Sequence, residues 1–420
     1  MPISDPIPDP DAPTHRPLPL HRRVIWRITW TLVTYTLMLF VRPRVRGQEH
    51  IPATGGALIV ANHTTAIDFL MPIWGAIRPV FAIGTDQVFR MPVAGWLLRL
   101  HNGEAVAQGV KDRAAVMHLV NAYKAGQLIS MFPEGNRSWT GRPLPMTPGS
   151  GRLVKSLGCP VIYCRITTGF LQLPRWAAWP RWVPWLMSYD PPVSYPADAT
   201  VEEINADMTR RLHIDPDQIE APPGSWGFRL AEGLPVFLWA CFDCYSVAAL
   251  EVAPEDRNHL RCRSCAARWA VDVSARLIRQ PGPNDLRPAH PPLAVAAARE
   301  RLTAHFGRGT DPARWEREGV ALETPEGSLS RMGGGGAPPE PLMSGRLRML
   351  ADRVEIVSAT GEERDIPYAD LLAAIFGFRD RIVLRTTSDT LLLTPGADSP
   401  HMWHHFLAVQ FKAGGFSVRT

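Results

Sequence analysis

A histidine and a carboxylate stand five residues apart in Asn62-His63-Thr64-Thr65-Ala66-Ile67-Asp68. About seventy residues later, Phe132-Pro133-Glu134-Gly135-Asn136-Arg137-Ser138 puts a carboxylate, a glycine and an arginine on one short segment. A neutral imidazole at physiological pH can take the proton of an attacking hydroxyl. A carboxylate beside it fixes the tautomer and stabilises the imidazolium that forms. The five-residue offset corresponds to roughly 140° around a regular helix, so His63 and Asp68 meet only if Asn62 to Thr65 form a turn. In the second motif Pro133 is rigid and Gly135 permissive, as a tight turn requires. Arg137 then projects a guanidinium, which matches phosphate by paired hydrogen bonds. The combined chemistry is a base for a hydroxyl and a grip for an anion. A solitary His/Asp pair, or one arginine on a turn, is ordinary protein surface; both motifs, each at a strand end, are harder to dismiss.

The surrounding pattern supplies those strand ends. Ala57-Leu58-Ile59-Val60-Ala61 and Leu128 to Phe132 are short apolar runs that read as buried strands delivering the two motifs. Further strands are expected over Pro79 to Ile83 and Pro160 to Ile166. Helices are expected over Phe69 to Ile77, Pro92 to Leu100, Lys111 to Ala125 (stopped by Gly126) and Gly149 to Leu157 (stopped by Gly158). Alternating strands and helices define an α/β domain with a mixed sheet flanked by helices.

The two motifs resemble the signatures of the glycerolipid (1-acylglycerol-3-phosphate) acyltransferase family, His-x4-Asp and Phe-Pro-Glu-Gly-Thr-Arg-Ser. The resemblance runs from about Arg42 to Asp215 and includes Arg44-Val45-Arg46-Gly47, Ala94-Gly95-Trp96-Leu97-Leu98-Arg99, Pro148-Gly149-Ser150-Gly151 and Cys159-Pro160-Val161-Ile162. It implies that His63 and Asp68 are the catalytic pair, and that Asn62, Glu134, Gly135 and Arg137 bind substrate. It implies acyl transfer from a thioester, acyl-CoA or acyl carrier protein, to a lysophospholipid hydroxyl, by default that of 1-acylglycerol-3-phosphate. There are two departures. Asn136 replaces the family's usual threonine, and Gln108-Gly109 stand where the family usually carries a phosphate-holding arginine, a role Lys111 or Arg113 could take.

The chain of 420 residues is too long for one core, and 33 glycines with 41 prolines point to linkers. A net charge of +5 without basic blocks interleaved with aromatics argues against nucleic acid and fits an anionic lipid surface. Residues 1–20 read as a disordered tail. Val24 to Val41, flanked by arginines on both sides, reads as a membrane-associated helix within 21–42, short for a span and suited to lying in the interface. A buried helix of a soluble domain is the other reading. Trp176, Trp179, Trp182 and Trp185 recur every third residue, which fits either a headgroup-level belt or an aromatic core flap.

Past the acyltransferase-like domain (43–230), Cys241-Phe-Asp-Cys244 and Cys262-Arg-Ser-Cys265 are separated by 17 residues. Two such knuckles suit a structural Zn(Cys)4 ribbon, expected over 234–280 and open to a protein partner. Residues 281–340 read as linker with one short helical stretch over Leu293 to Phe306. Short strands from Leu347 onward, closed by a helix over Ser399 to Ala413, resemble a pleckstrin-homology or GRAM-like β module over 341–420. The whole reads as a membrane-associated acyltransferase on the cytoplasmic face. The rivals are a catalytically weak lipid-binding adaptor and an acyl-thioester hydrolase.

Overall fold

The computed structural model describes residues 41–413, except 66, 69–71, 73, 74, 77, 79, 86–94, 97–103, 107–112, 281–290, 334–337 and 377–380, with scattered positions between 24 and 39. The expected helix over Pro92 to Leu100 and the positions Gln108, Gly109 and Lys111 fall largely or wholly outside that set, and the side chain of Arg113 is not described.

The chain forms two compact units. The first comprises residues up to Arg175 together with Trp182–Ser225. Its strands are β1 (Arg44–Arg46), β2 (Ala57–Ala61), β3 (Val80–Thr85), β4 (Glu104–Val106), β5 (Leu128–Met131), β6 (Val161–Ile166) and β7 (Leu186–Tyr189), and its helices α1 (Arg113–Lys124), α2 (Pro148–Leu157) and α3 (Val201–Arg211). They make one mixed sheet in the order β1-β7-β6-β2-β5-β3-β4, parallel throughout except where β6 meets β7. The middle strand, β2, is fully buried, because the pleat sends alternate residues into two different cores. Ala57, Ile59 and Ala61 pack with Leu128, Ile162 and Trp185 on one face. Leu58 and Val60 pack with Leu119, Ile129, Ile204 and Met208 on the other. Helix α1 stops at Gly126 (φ 76°) and α2 at Gly158 (φ 56°), the left-handed positions that glycine tolerates best. Because β2 and β5 are adjacent and parallel, their C-terminal ends, and so the two motifs, lie side by side.

The second unit comprises Trp176–Arg181 and Trp226–Thr420. A five-stranded antiparallel sheet, β8 (Leu250–Val252) to β12 (Leu293–Ala294), contains β9 (His259–Cys262), β10 (Arg268–Val271) and β11 (Arg276–Gln280). A seven-stranded antiparallel sheet follows, in the order β16-β15-β14-β13-β19-β18-β17. Its strands are β13 (Val320–Arg331), β14 (Glu340–Leu350), β15 (Arg353–Ser358), β16 (Glu363–Pro367), β17 (Leu371–Phe376), β18 (Ile382–Thr386) and β19 (Thr390–Thr394). Helix α6 (Pro400–Ala413) buries Trp403, Phe406, Leu407 and Phe411.

One expectation differs from this arrangement. The stretch 281–340, read as linker with one short helix over Leu293 to Phe306, holds that helix as α4 (Val295–His305) but also α5 (Pro312–Glu318) and the twelve-residue β13. Trp176 and Trp185 are fully buried, so the tryptophan repeat is mainly core; Trp179, 40% exposed, is its outward member. Trp179 donates to Glu232 (2.8 Å) and has the Arg229 guanidinium over its ring.

Candidate active site

The first motif leaves β2 as a turn, as the His63–Asp68 spacing requires. His63 Nδ1 lies 3.1 Å from Asp68 Oδ2. Asp68 is completely buried and held from several sides. Its Oδ2 also accepts from the Thr64 and Thr65 backbone N–H groups, and its Oδ1 from the Thr65 hydroxyl at 2.8 Å. The carboxylate therefore caps the turn that carries the histidine, and the imidazole is oriented through Nδ1. The ring stacks on Phe132, with centroids 4.3 Å apart, and the side chain keeps 21% exposure. With Nδ1 donating to Asp68, Nε2 is the atom able to accept a proton. Burial pulls the His63 pKa below its usual value; the hydrogen bond and charge of Asp68 oppose that shift, and the Arg137 and Arg175 charges add to it. The shift favours the neutral imidazole.

The second motif clamps the first. Glu134 Oε1 accepts the His63 backbone N–H at 2.8 Å, Glu134 Oε2 accepts the Leu144 N–H at 2.6 Å, and the Ser138 N–H donates to the His63 carbonyl at 2.9 Å. Glu134 is itself buried, and burial pushes its pKa up to about 8 against the pull of those two N–H groups. Both Glu134 oxygens thus bond to backbone N–H groups of the histidine turn and Leu144, whereas the resemblance implied a substrate contact. Glu134→Ala would remove the carboxylate partner of two part-buried N–H groups, at about 0.5–1.5 kcal/mol each, and release the histidine turn. We expect a clear fall in melting temperature and in turnover, with Glu134→Gln intermediate because an amide can accept only one of the two bonds. An unchanged melting temperature in Glu134→Ala would refute this assignment.

Asn62 is also placed differently from the expectation. Its amide is buried, donating to the Ile166 carbonyl (3.1 Å) and accepting the Ile166 N–H (2.7 Å), so it ties the end of β2 to β6. Gly135 sits exposed at the tip of the turn with φ 68°, and a Cβ there would crowd Thr147 Cγ2 at 3.1 Å. Arg137 is half-buried, and its backbone N–H donates to Asn136 Oδ1 at 2.8 Å. Two residues that sequence reasoning passed over also belong here. Thr65 was detectable, since a threonine three residues before an acidic side chain is a turn-capping signal. Arg175 was not: it lies 38 residues beyond Arg137 and reaches the motif only through the fold.

In the second unit, the four cysteine sulfurs of Cys241, Cys244, Cys262 and Cys265 all lie within 4.8 Å of one another. The Cys241–Cys265 and Cys244–Cys262 sulfurs are 3.9 and 3.7 Å apart, far from the disulfide length of about 2.05 Å. They approach the edge of about 3.8 Å expected for a tetrahedron of thiolates around a metal at about 2.3 Å. The two knuckles share one geometry. Tyr245 and Ala266, each following the second cysteine, have φ of 61° and 57°, and each donates back to the carbonyl of the first cysteine. A buried Arg279–Asp243 ion pair (3.1 Å) braces the first knuckle. This donor set fits a closed structural metal site.

Residues 42–167 match a family model described as Acyltransferase. A 1-acyl-sn-glycerol-3-phosphate acyltransferase of Limnanthes douglasii is 28% identical over 178 residues, covering 40% of this chain and 60% of that protein. One from Cocos nucifera is 24% identical over 164 residues, covering 38% of this chain and 53% of that protein. The chain thus spans a little over half the length of these curated relatives. The crystal structure of the 1-acyl-sn-glycerophosphate (LPA) acyltransferase, PlsC, from Thermotoga maritima aligns at a TM-score of 0.38 and 22% identity, over 46% of this chain and 78% of that chain.

Proposed function

We propose that this chain, which carries an acyltransferase-family domain over residues 42–167, moves a fatty acyl group from an acyl thioester to the hydroxyl of a lysophospholipid, by default 1-acylglycerol-3-phosphate, in phospholipid biosynthesis. The observation that carries the reading is the 3.1 Å His63–Asp68 pair, locked by Glu134 of the second motif. His63 Nε2 takes the hydroxyl proton as the oxygen attacks the thioester carbonyl. Asp68 stabilises the resulting imidazolium. Collapse of the tetrahedral intermediate breaks the C–S bond, and the departing thiolate takes that proton. No covalent acyl-enzyme is required, because the acceptor supplies the nucleophile. Arg137 binds the anionic head of the acceptor. The donor is acyl-CoA or acyl carrier protein.

The lipid acceptor makes a membrane site reasonable. Val24, Ile28, Leu32, Tyr35 and Leu39 are 50–74% exposed at helical spacing, with Arg42, Arg44 and Arg46 following. An apolar stripe beside cations suits the interface of an anionic, cytoplasm-facing leaflet. Among the described residues no helix is long and apolar enough to cross a membrane. The four-cysteine cluster, in this reading, holds a structural zinc and offers a surface to a protein partner.

The test presents lysolipids in anionic vesicles to the purified protein and follows thiol release from acyl-CoA, with products identified by mass spectrometry. We expect the protein to float with the vesicles and to release thiol only with a lysolipid present. Release without any acceptor would replace transfer with hydrolysis. Silence with both acyl-CoA and acyl carrier protein donors would overturn the enzymatic reading in favour of a lipid-binding adaptor.

A further inference from the structure

The buried Asp68 carboxylate is also packed against a segment that belongs to neither motif. Strand β6 ends at Ile166, and a four-residue helical turn, Gly169–Gln172, follows. Gly169 is buried, and a Cβ on it would stand 2.9 Å from Ile166 Cγ2, 3.1 Å from Thr64 Oγ1 and 3.4 Å from Asp68 Oδ1. All three neighbours belong to the scaffold of the histidine turn. Ile166 exchanges two hydrogen bonds with the Asn62 amide, and the Thr64 N–H donates to Asp68. The next residue, Phe170, is buried too. A Cβ on Gly141 would fall 2.7 Å from the Phe170 ring, so that loop packs directly on it. The Gly141 N–H donates to the Ser138 hydroxyl at 3.0 Å, and the Ser138 N–H donates to the His63 carbonyl. Two consecutive residues thus touch the first motif and the loop that closes the second.

The turn is pinned where it stands. The Thr168 hydroxyl donates to the Pro184 carbonyl at 2.6 Å and accepts the Leu186 N–H at 2.8 Å, and the Thr167 N–H donates to the Leu186 carbonyl at 2.8 Å. A side chain added at 169 therefore displaces its neighbours, because a close-packed interior transmits such a strain. Thr64 yields most readily, since its buried Oγ1 has no hydrogen-bond partner among the described residues to hold it. Its backbone N–H bonds Asp68 Oδ2, so a shift of Thr64 reaches the carboxylate and, through it, the imidazole.

We infer that the turn Thr168–Phe170 is a third positioning element for the His63–Asp68 pair, with Gly169 seated against Asp68 and Phe170 supporting the loop after Arg137. Its hold on the pair stands on geometry alone. Its consequence for turnover rests on the acyl-transfer reading.

The experiment compares wild type, Gly169→Ala, Thr64→Ala/Gly169→Ala and Phe170→Leu as full chains. Circular dichroism and melting curves first establish that each variant folds. One readout is kcat and KM for lysolipid-dependent thiol release from acyl-CoA. The other needs no turnover: proton NMR of protein carrying isotopically labelled histidine, in which the His63 Nδ1 proton is identified among the 13 histidines by its loss in His63→Ala. Gly169→Ala should lower kcat by about ten- to a hundredfold, the scale of a small misplacement at a reacting group, with KM for lysolipid and acyl-CoA unchanged. The His63 Nδ1 proton should move upfield in parallel, as its bond to Asp68 lengthens. Truncating Thr64 removes the Oγ1 that the new Cβ would press on, so Thr64→Ala/Gly169→Ala should recover part of both changes. Phe170→Leu should show smaller changes of the same kind and carries the test should Gly169→Ala not fold. An unmoved His63 resonance in the folded variants would overturn the inference whatever kcat does, and wild-type transfer would then still stand. A resonance that moves with Gly169→Ala in a protein that transfers no acyl group would keep the positioning element and remove the transfer reading.

Discussion

His63→Ala is expected to reduce lysolipid-dependent acyl transfer by about 10²–10⁴-fold, the range lost when a positioned general base is removed. The variant should still fold. The bonds that hold the turn use the His63 backbone N–H and carbonyl and the Asp68 carboxylate with the Thr64 and Thr65 N–H groups, none of which an alanine removes. The loss should therefore appear in turnover with little change in melting temperature. The pH profile gives an independent check. The base works in its neutral form, and burial holds the His63 pKa below its ordinary 6.5. The His63 limb should lie below about 6.5, through the lowered value, and a separate change near 8 would report Glu134. Transfer surviving in His63→Ala would exclude His63 as the base. Asp68→Asn tests a different point. The two backbone N–H groups and the imidazole all meet Oδ2, a place an amide oxygen can take, so the turn should largely persist while the charge that stabilises the imidazolium is lost, and turnover should fall more than stability.

What could be read in advance was whatever is encoded locally. Strand β2 was legible to the residue, because a continuous apolar run bounded by Gly56 and Asn62 has few other solutions. Helices α1 and α2 were legible through their glycine stops. The spacing of His63 and Asp68 allowed a pair only if Asn62 to Thr65 turned, and it was the second motif and the family resemblance that singled the pair out. What escaped depends on tertiary contact. Glu134 and Arg137 sit three residues apart, and the family resemblance assigns both to the substrate. Only the fold turns the Glu134 carboxylate inward to the His63 N–H. Asn62 reads as a ligand until its amide is seen bonded to Ile166, 104 residues away. The missed strand β13 failed for a chemical reason. Pro325 and Gly327 signal loop, but they lie where its pairing with β14 shifts register between Thr324 and Gly327, and irregular pairing is where strands accept such residues. The spacing of the tryptophans between 176 and 185 could not distinguish lipid from core, since both reward an apolar ring; burial decides it for Trp176 and Trp185.

Metal removal should have the other large effect, and it should fall on the second unit. The purified chain is expected to carry one zinc, and a strong chelator should unfold the region around Cys241 to Gln280. The physical case begins with what is left there without the metal. The sheet β8–β12 has strands of two to five residues, too short to persist on ladder hydrogen bonds alone. Its apolar contribution centres on Trp269 against Phe242, with ring centroids 4.6 Å apart, and Leu260 and Leu277. Against this stand the positive φ values at Tyr245 and Ala266, which are unfavourable for side-chain-bearing residues by about 1–3 kcal/mol each. A structural zinc contributes on the order of 10–16 kcal/mol, enough to hold both knuckles in that conformation. Chelation should therefore expose Trp269, seen as a red shift and quenching of tryptophan emission, and open the region to proteolysis. Returning zinc should reverse both changes, and Cys262→Ser should mimic chelation. The acyltransferase-family domain contributes none of the four cysteine ligands, so its folding should not require the metal. A well-folded, metal-free chain with four titratable thiols in this cluster and an unchanged melting curve would show instead that the four sulfurs are packed as ordinary core.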